Sequence, residues 1–114
     1  MSSFKSNRKL VLLPSDNKLS FTFEFTQNAT ASSNNAFLPA GVDIASVVVT
    51  CTTESGTAVT SILTTPTPSV ANNIVTVTLK YPTEGAGRYY LQFVCTLDNT
   101  AVIEADFNRI YAEI

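Results

Sequence analysis

The chain has 114 residues, 45% of them hydrophobic and only 14% charged, with a net charge of −2, two cysteines and no histidine. That length admits one domain, which buries about two thirds of its unfolded surface and leaves no second core. The missing imidazole removes the commonest general base and the commonest metal ligand. The charged fraction, well under the ~25% usual for soluble domains, is made up by Thr, Ser and Asn, which suits a surface held against other protein as well as a Thr-rich all-β fold.

Residues 1–9, MSSFKSNRK, read as an extended arm. Residues 1–20 hold Lys5, Arg8, Lys9 and Lys18 against Asp16 alone, while the remainder is acidic, so the arm is a basic appendage suited to an acidic surface. Without interleaved aromatics for stacking, these charges do not make a nucleic-acid site. The apolar run at 10–13 is much shorter than a signal h-region or a membrane span, and no small-residue cleavage site follows it. The expectation is a chain synthesised in a cytosol, with no membrane partner. Residues 8–13 read as a first strand and 14–17 as a turn.

In LSFTFEFT, Leu19, Phe21, Phe23 and Phe25 alternate with Ser20, Thr22 and Glu24, the period of a half-buried strand, and the phenylalanines are candidate core anchors. Residues 27–43 form a long polar loop carrying the apolar pair Phe37 and Leu38 before Pro39; an exposed apolar pair on such a loop marks a contact. Residues 44–53 read as a Val-rich strand, Glu54-Ser55-Gly56 as a hairpin turn and 57–63 as its partner. The prolines of TTPTPS, residues 64–69, remove donors and fix φ, which makes this a connection crossing between sheets.

Val75, Val77 and Leu79 then alternate with Thr76 and Thr78, and Pro82, Gly85 and Gly87 break the pattern. Tyr89, Leu91, Phe93 and Cys95 form one face of the next strand, Asp98-Asn99 marks a turn, and alternation resumes to the last residue. Tyr89, two residues after Gly87 at the start of a late strand, fits the tyrosine corner of Ig-like folds, although the spacing of Cys51 and Cys95 is not that of a true Ig domain. In a reducing compartment these cysteines are expected to be buried free thiols. Seven strands without a helix predict an all-β domain over 10–114, a single antiparallel Ig-like β-sandwich with an extended N-terminal arm.

The chain contains no phosphate-cradling Gly-rich loop, nucleophile elbow, EF-hand run or paired cysteine spacing. Glu104 and Asp106 share a strand face, where solvent-facing charges on an edge strand account for them. A protein that is not an enzyme, with no cofactor or metal, is expected.

In LPAGVDIASVVVTCTTESG, Gly41 precedes an apolar strand carrying Ile44, Val47 and Val49, and Gly56 turns it; Gly87, Tyr89, Leu91 and Phe93 follow, then a terminal strand with Ile110 and Ile114. This order resembles the small Ig-like virion proteins of tailed bacteriophages, including the family typified by the N-terminal domain of phage baseplate upper proteins. The likeness covers most of residues 10–114, with the arm outside it and the 27–43 loop longer than the family's usual turn. It implies a structural component of the virion, and a stand-alone domain suits a capsid cement or decoration protein. The implied partners are the major capsid protein or other virion proteins, together with copies of itself in a symmetric assembly. Its place would be the capsid surface after synthesis in the bacterial host cytoplasm. The expected contact residues are Phe4, Lys5, Arg8 and Lys9 of the arm and Phe37 and Leu38 of the loop. The alternative is a tail, neck or baseplate adaptor of the same fold. A carbohydrate-binding module is the third reading, weakened by the absence of tryptophan.

Overall fold

The computed structural model describes residues 2–3, 9–25, 27–28, 38–39, 41–64 and 68–114, and every regular element among them is a β-strand. In chain order these are β1 (Ser2–Ser3), β2 (Leu10–Leu12), β3 (Leu19–Glu24), β4 (Gln27–Asn28), β5 (Leu38–Pro39), β6 (Ile44–Thr53), β7 (Ser69–Ala71), β8 (Ile74–Leu79), β9 (Gly87–Leu97) and β10 (Val102–Ala112). The larger sheet runs β10-β9-β6 with antiparallel pairing, and β1 and β2 both lie parallel to β10 along its other side. The second sheet, β3-β8-β7, is antiparallel throughout, and β4 and β5 form a short parallel pair.

Period-two patterning accounts for the long strands. Val75, Val77 and Leu79 of β8 are buried, as are Tyr89, Leu91, Phe93, Cys95 and Leu97 of β9. β-Branched and aromatic side chains fit a pleated, half-buried surface. The sheets meet through an aromatic cluster: the Phe23 ring lies 4.8 Å from Phe93 and 5.2 Å from Phe107, and Phe25 lies 6.2 Å from Phe93. Among the described residues the core holds no buried polar or charged residue.

Two bulges reset the inward phase. In β6 the register shifts between Ile44 and Ser46, so that Ile44 and then Val47, Val49 and Cys51 are buried. In β10, Phe107 pairs with Leu91 and Ile110 with Tyr89, one residue more on β10 than on β9. The extra residue lets Ala105 and Phe107, then Ile110 and Ala112, all reach the core.

Local chemistry fixes the turns. The Tyr89 hydroxyl donates to the Gly85 carbonyl at 2.7 Å, tying the start of β9 to the turn before it. Asn72 and Asn73 both take positive φ, 53° and 63°, as a two-residue hairpin between β7 and β8 requires. Asn73 also braces β6: its Oδ1 accepts the Ile44 N–H at 2.9 Å, and its Nδ2 donates to Asp43 Oδ1 at 2.9 Å.

Several expectations are corrected. The pairing is not purely antiparallel, because β1 and β2 run with β10. Part of the arm, Ser2–Ser3, is therefore strand on this domain's own sheet. β10 is consequently not an edge beside Asp106, since Ser3 pairs with it. Residues 57–63 do not form a full hairpin strand. Only Ala58 bridges to Thr52, after which the Lys80 N–H donates to the Ile62 carbonyl at 2.9 Å and Leu63 pairs with Leu79. The crossing between sheets thus happens here, before the prolines of 64–69. Phe21 is half-buried at the rim of the core rather than inside it.

Candidate functional site

Because inward positions on β9 are odd-numbered, Arg88 and Tyr90 fall on the outer face of the larger sheet. Tyr111 of β10 pairs with Arg88 on one side and with Val11 of β2 on the other. Lys9 immediately precedes β2. These four side chains interlock. Lys9 Nζ lies 5.1 Å from the Tyr111 ring centroid, and the Arg88 guanidinium carbon lies 5.3 Å from that of Tyr90 and 5.8 Å from that of Tyr111. Carboxylates bracket the row: Glu113 Oε2 is 3.6 Å from Lys9 Nζ and Glu54 Oε2 is 3.8 Å from Arg88 Nη1. Each exposed cation–π contact contributes about 0.5–1 kcal/mol and each exposed ion pair less. Their main effect is to hold two cations and two phenol rings in one arrangement.

Farther along the same face the cations give way to an exposed carboxylate and then to apolar side chains. The Gln92 Nε2 donates to Glu104 Oε1 at 3.3 Å. Beyond it Val48 is 60% exposed and pairs with half-buried Val94, and Val102 is 59% exposed. Val102 pairs with Thr96, which places it diagonal to Val94. The face therefore joins a cation–aromatic end, bracketed by Glu113 and Glu54, through Gln92 and Glu104 to a strip of valine and threonine.

Of the contact residues expected from sequence, Lys9 belongs to this row. Leu38 does not present an apolar surface: at 1% exposure it is part of the hydrophobic core cluster. Phe4, Lys5, Arg8 and Phe37 lie outside the described residues. Arg88, Tyr90 and Tyr111 were not among the expected contacts. Their signal was the outward half of an alternation whose inward half was plain.

Cys51 and Cys95 are free and buried, and burial pushes their thiols up to about 12 and about 11. Cys51 pairs with Leu91, four residues along β9 from Cys95, a separation of about 13 Å along a strand and beyond disulfide reach. The Glu84 carboxyl is held below its ordinary value chiefly by the Ser61 hydroxyl, which donates to it at 2.6 Å. Among the described residues no group of three or more His, Cys, Asp or Glu comes together as a metal site, and no helix is long and apolar enough to cross a membrane. Comparison with protein-family models and with curated protein sequences finds no match.

Proposed function

We propose that this chain is an Ig-like β-sandwich serving as a non-enzymatic structural component of a tailed-phage virion. In this reading it is a capsid cement or decoration protein, attached through the outer face of its larger sheet and its N-terminal segment. Strand order supports this reading: β2-β10-β9-β6 and β3-β8-β7 as two sheets, with the Tyr89 hydroxyl bonded to Gly85 four residues upstream, are features that an Ig-like sandwich would have. The resemblance carried by Gly41, Gly56, Gly87, Tyr89 and Ile110 supports the virion assignment.

The observation that carries attachment is the row Lys9, Arg88, Tyr90 and Tyr111, fixed on one face, with Lys9 closing the basic segment 1–9 in sequence. Charge and aromatic area are in place before contact, which lowers the ordering cost of binding an acidic protein surface. Many copies bridging neighbouring shell subunits then stabilise the particle by avidity, even where each contact is modest. Sugar stacking is a poorer use of these rings, because cations already sit over Tyr90 and Tyr111.

Co-sedimentation with undecorated shells tests the reading. The intact protein should pellet with shells and bind less at high salt, where exposed charges are screened within about 8 Å or less. The double variant Lys9→Glu/Arg88→Glu should stay in the supernatant. Absence of pelleting by the intact protein at any salt sinks the capsid assignment, and undiminished binding of the variant sinks the attachment face. A count of copies per virion separates shell from tail, neck or baseplate: hundreds for the former, a dozen or fewer for the latter.

A further inference from the structure

β6 is the outer strand of the larger sheet, and its free side is covered over only part of its length. The Val59 N–H donates to the Cys51 carbonyl at 2.9 Å and the Thr53 N–H to the Thr57 carbonyl at 2.8 Å. Odd-numbered residues of β6 therefore aim their backbone groups away from β9. Val47 and Val49 share that parity, and nothing among the described residues bonds to their outward N–H and C=O groups. The opening is bounded at both ends: residues 57–59 cover the edge from Cys51 onward, and Asn73 Oδ1 takes the N–H of Ile44. Between these stops the backbone is held extended, because the Val47 and Val49 side chains are buried in the core. From Ile44 to Thr53 the strand carries neither charge nor proline, the usual protections of a sheet edge.

We propose that this edge pairs with the same edge of a second copy of the chain, antiparallel about a two-fold axis at Val48. In that register Val47 exchanges both backbone hydrogen bonds with Val49 of the partner subunit, and Val49 with the partner's Val47. Val48 meets the partner's Val48 in the close non-hydrogen-bonded position, with Cβ atoms about 4.5–5.5 Å apart. A second copy fits better than a foreign strand for two reasons. The open window, residues 46–50, is symmetric about Val48, so one patch serves both sides of the axis. A charge-free strand also meets no repulsion from itself. Pairing cannot slide onward, since the Cys51 carbonyl is already taken by Val59. So short a contact gives weak association in solution and becomes effective where copies are concentrated on a surface. This inference does not depend on which particle, if any, carries the protein.

Sedimentation velocity from about 10 µM to about 1 mM is the test. The intact chain should shift from monomer toward dimer over that range. Val48→Lys and Val48→Asp, each placing like charges across the axis at an exposed position, should each stay monomeric with an unchanged circular dichroism spectrum. Their equimolar mixture should dimerise again. In hydrogen exchange, the Val47 and Val49 amides should gain protection as concentration rises, while the Val48 amide, bonded within the sheet, is protected throughout. A monomeric intact chain at every concentration overturns the proposal. So does undiminished dimerisation of Val48→Lys, or dimerisation without protection of Val47 and Val49.

Discussion

Phe23→Ala removes the side chain on which the two sheets converge. Phe23 is 6% exposed and contacts the rings of Phe93 and Phe107 at 4.8 and 5.2 Å. Truncating a buried Phe costs about 3–5 kcal/mol, the size depending on how far neighbours collapse into the cavity. The two tilted ring pairs add about 0.5–1.5 kcal/mol each beyond area burial, and three β-strands hold the cavity walls apart. A loss of about 4–5 kcal/mol follows. For a chain of 114 residues, unfolding entropy scales so that 1 kcal/mol moves Tm by about 4 °C, and the expected fall is about 16–20 °C. Phe21, two residues away on the same strand but half-buried, supplies the contrast. Phe21→Ala should cost about 1–2 kcal/mol. Calorimetry and urea unfolding at constant m-value give both numbers. A Phe23→Ala midpoint within a few degrees of the parent, or a larger loss for Phe21→Ala, refutes the assigned facing of β3 and the convergence of the sheets on Phe23.

Tyr89→Phe leaves the Gly85 carbonyl without its 2.7 Å donor and should cost about 1–2 kcal/mol, read from the urea midpoint; an unchanged midpoint means the corner does not stabilise the fold. Iodoacetamide at pH 8 should leave both thiols unmodified in the native protein and alkylate both in denaturant without reductant, as mass spectrometry will show, because burial keeps Cys51 and Cys95 protonated. The same burial makes stability pH-dependent on the alkaline side. Unfolded thiols ionise first, from their ordinary value of 9.0, while the native Cys51 holds its proton up to about 12. The unfolded state then binds fewer protons, so stability is intact below pH 9 and falls as pH rises toward 12. Urea midpoints across this range should fall less steeply in the Cys51→Ala/Cys95→Ala variant.

The long strands were legible because each buries one face and leaves the other to Thr, Ser and Gln. On β8 and β9 the period of two runs unbroken, and Val75, Val77, Tyr89, Leu91 and Phe93 fall inside as read. What pattern reading misses is a change of phase. After Phe107 the inward set moves from odd to even positions, and the FNRIYAEI ending looks like continued alternation unless the register with β9 is known. β1 had no legible signature, since pairing of Ser2–Ser3 with Ala105 and Asp106 is made by backbone alone. The failed hairpin has a similar cause. Glu54-Ser55-Gly56 does turn the chain, with the Gly56 N–H on the Thr53 carbonyl at 3.0 Å, but competition from β8 for residues 62–64 ends the pairing after one bridge. Leu38 read as exposed because the segment that carries it, residues 27–43, is mostly polar, whereas in the fold its side chain joins the core cluster. The proposed attachment row was visible in sequence only at Lys9, which stood out as charge; Arg88 and Tyr111 lie 79 and 102 residues further along the chain, and only strand pairing unites them.

β10 is where the fold and the proposed attachment surface constrain each other. Its free side is covered in two stretches, by β1 at Ala105 and Asp106 and by β2 at Ile110, Tyr111 and Ala112, with the Glu113 N–H continuing the second ladder to the Leu12 carbonyl at 2.9 Å. Deleting residues 1–9 therefore does two things at once: it removes Lys5, Arg8 and Lys9, and it uncovers backbone groups at Ala105 and Asp106. Reversing charge at Lys9 and Arg88 alters charge alone and leaves Lys5, Arg8 and the backbone pairing of β1 in place, since Glu113 and Glu54 beside them sit at the surface. The pair of perturbations consequently identifies what the arm contributes. If both abolish shell binding, attachment is electrostatic and should weaken with salt. If deletion abolishes binding while the charge reversal leaves it intact and salt-insensitive, the arm acts through backbone pairing on a sheet edge, and the cations of the row serve only to hold Tyr111 and β2 against β10.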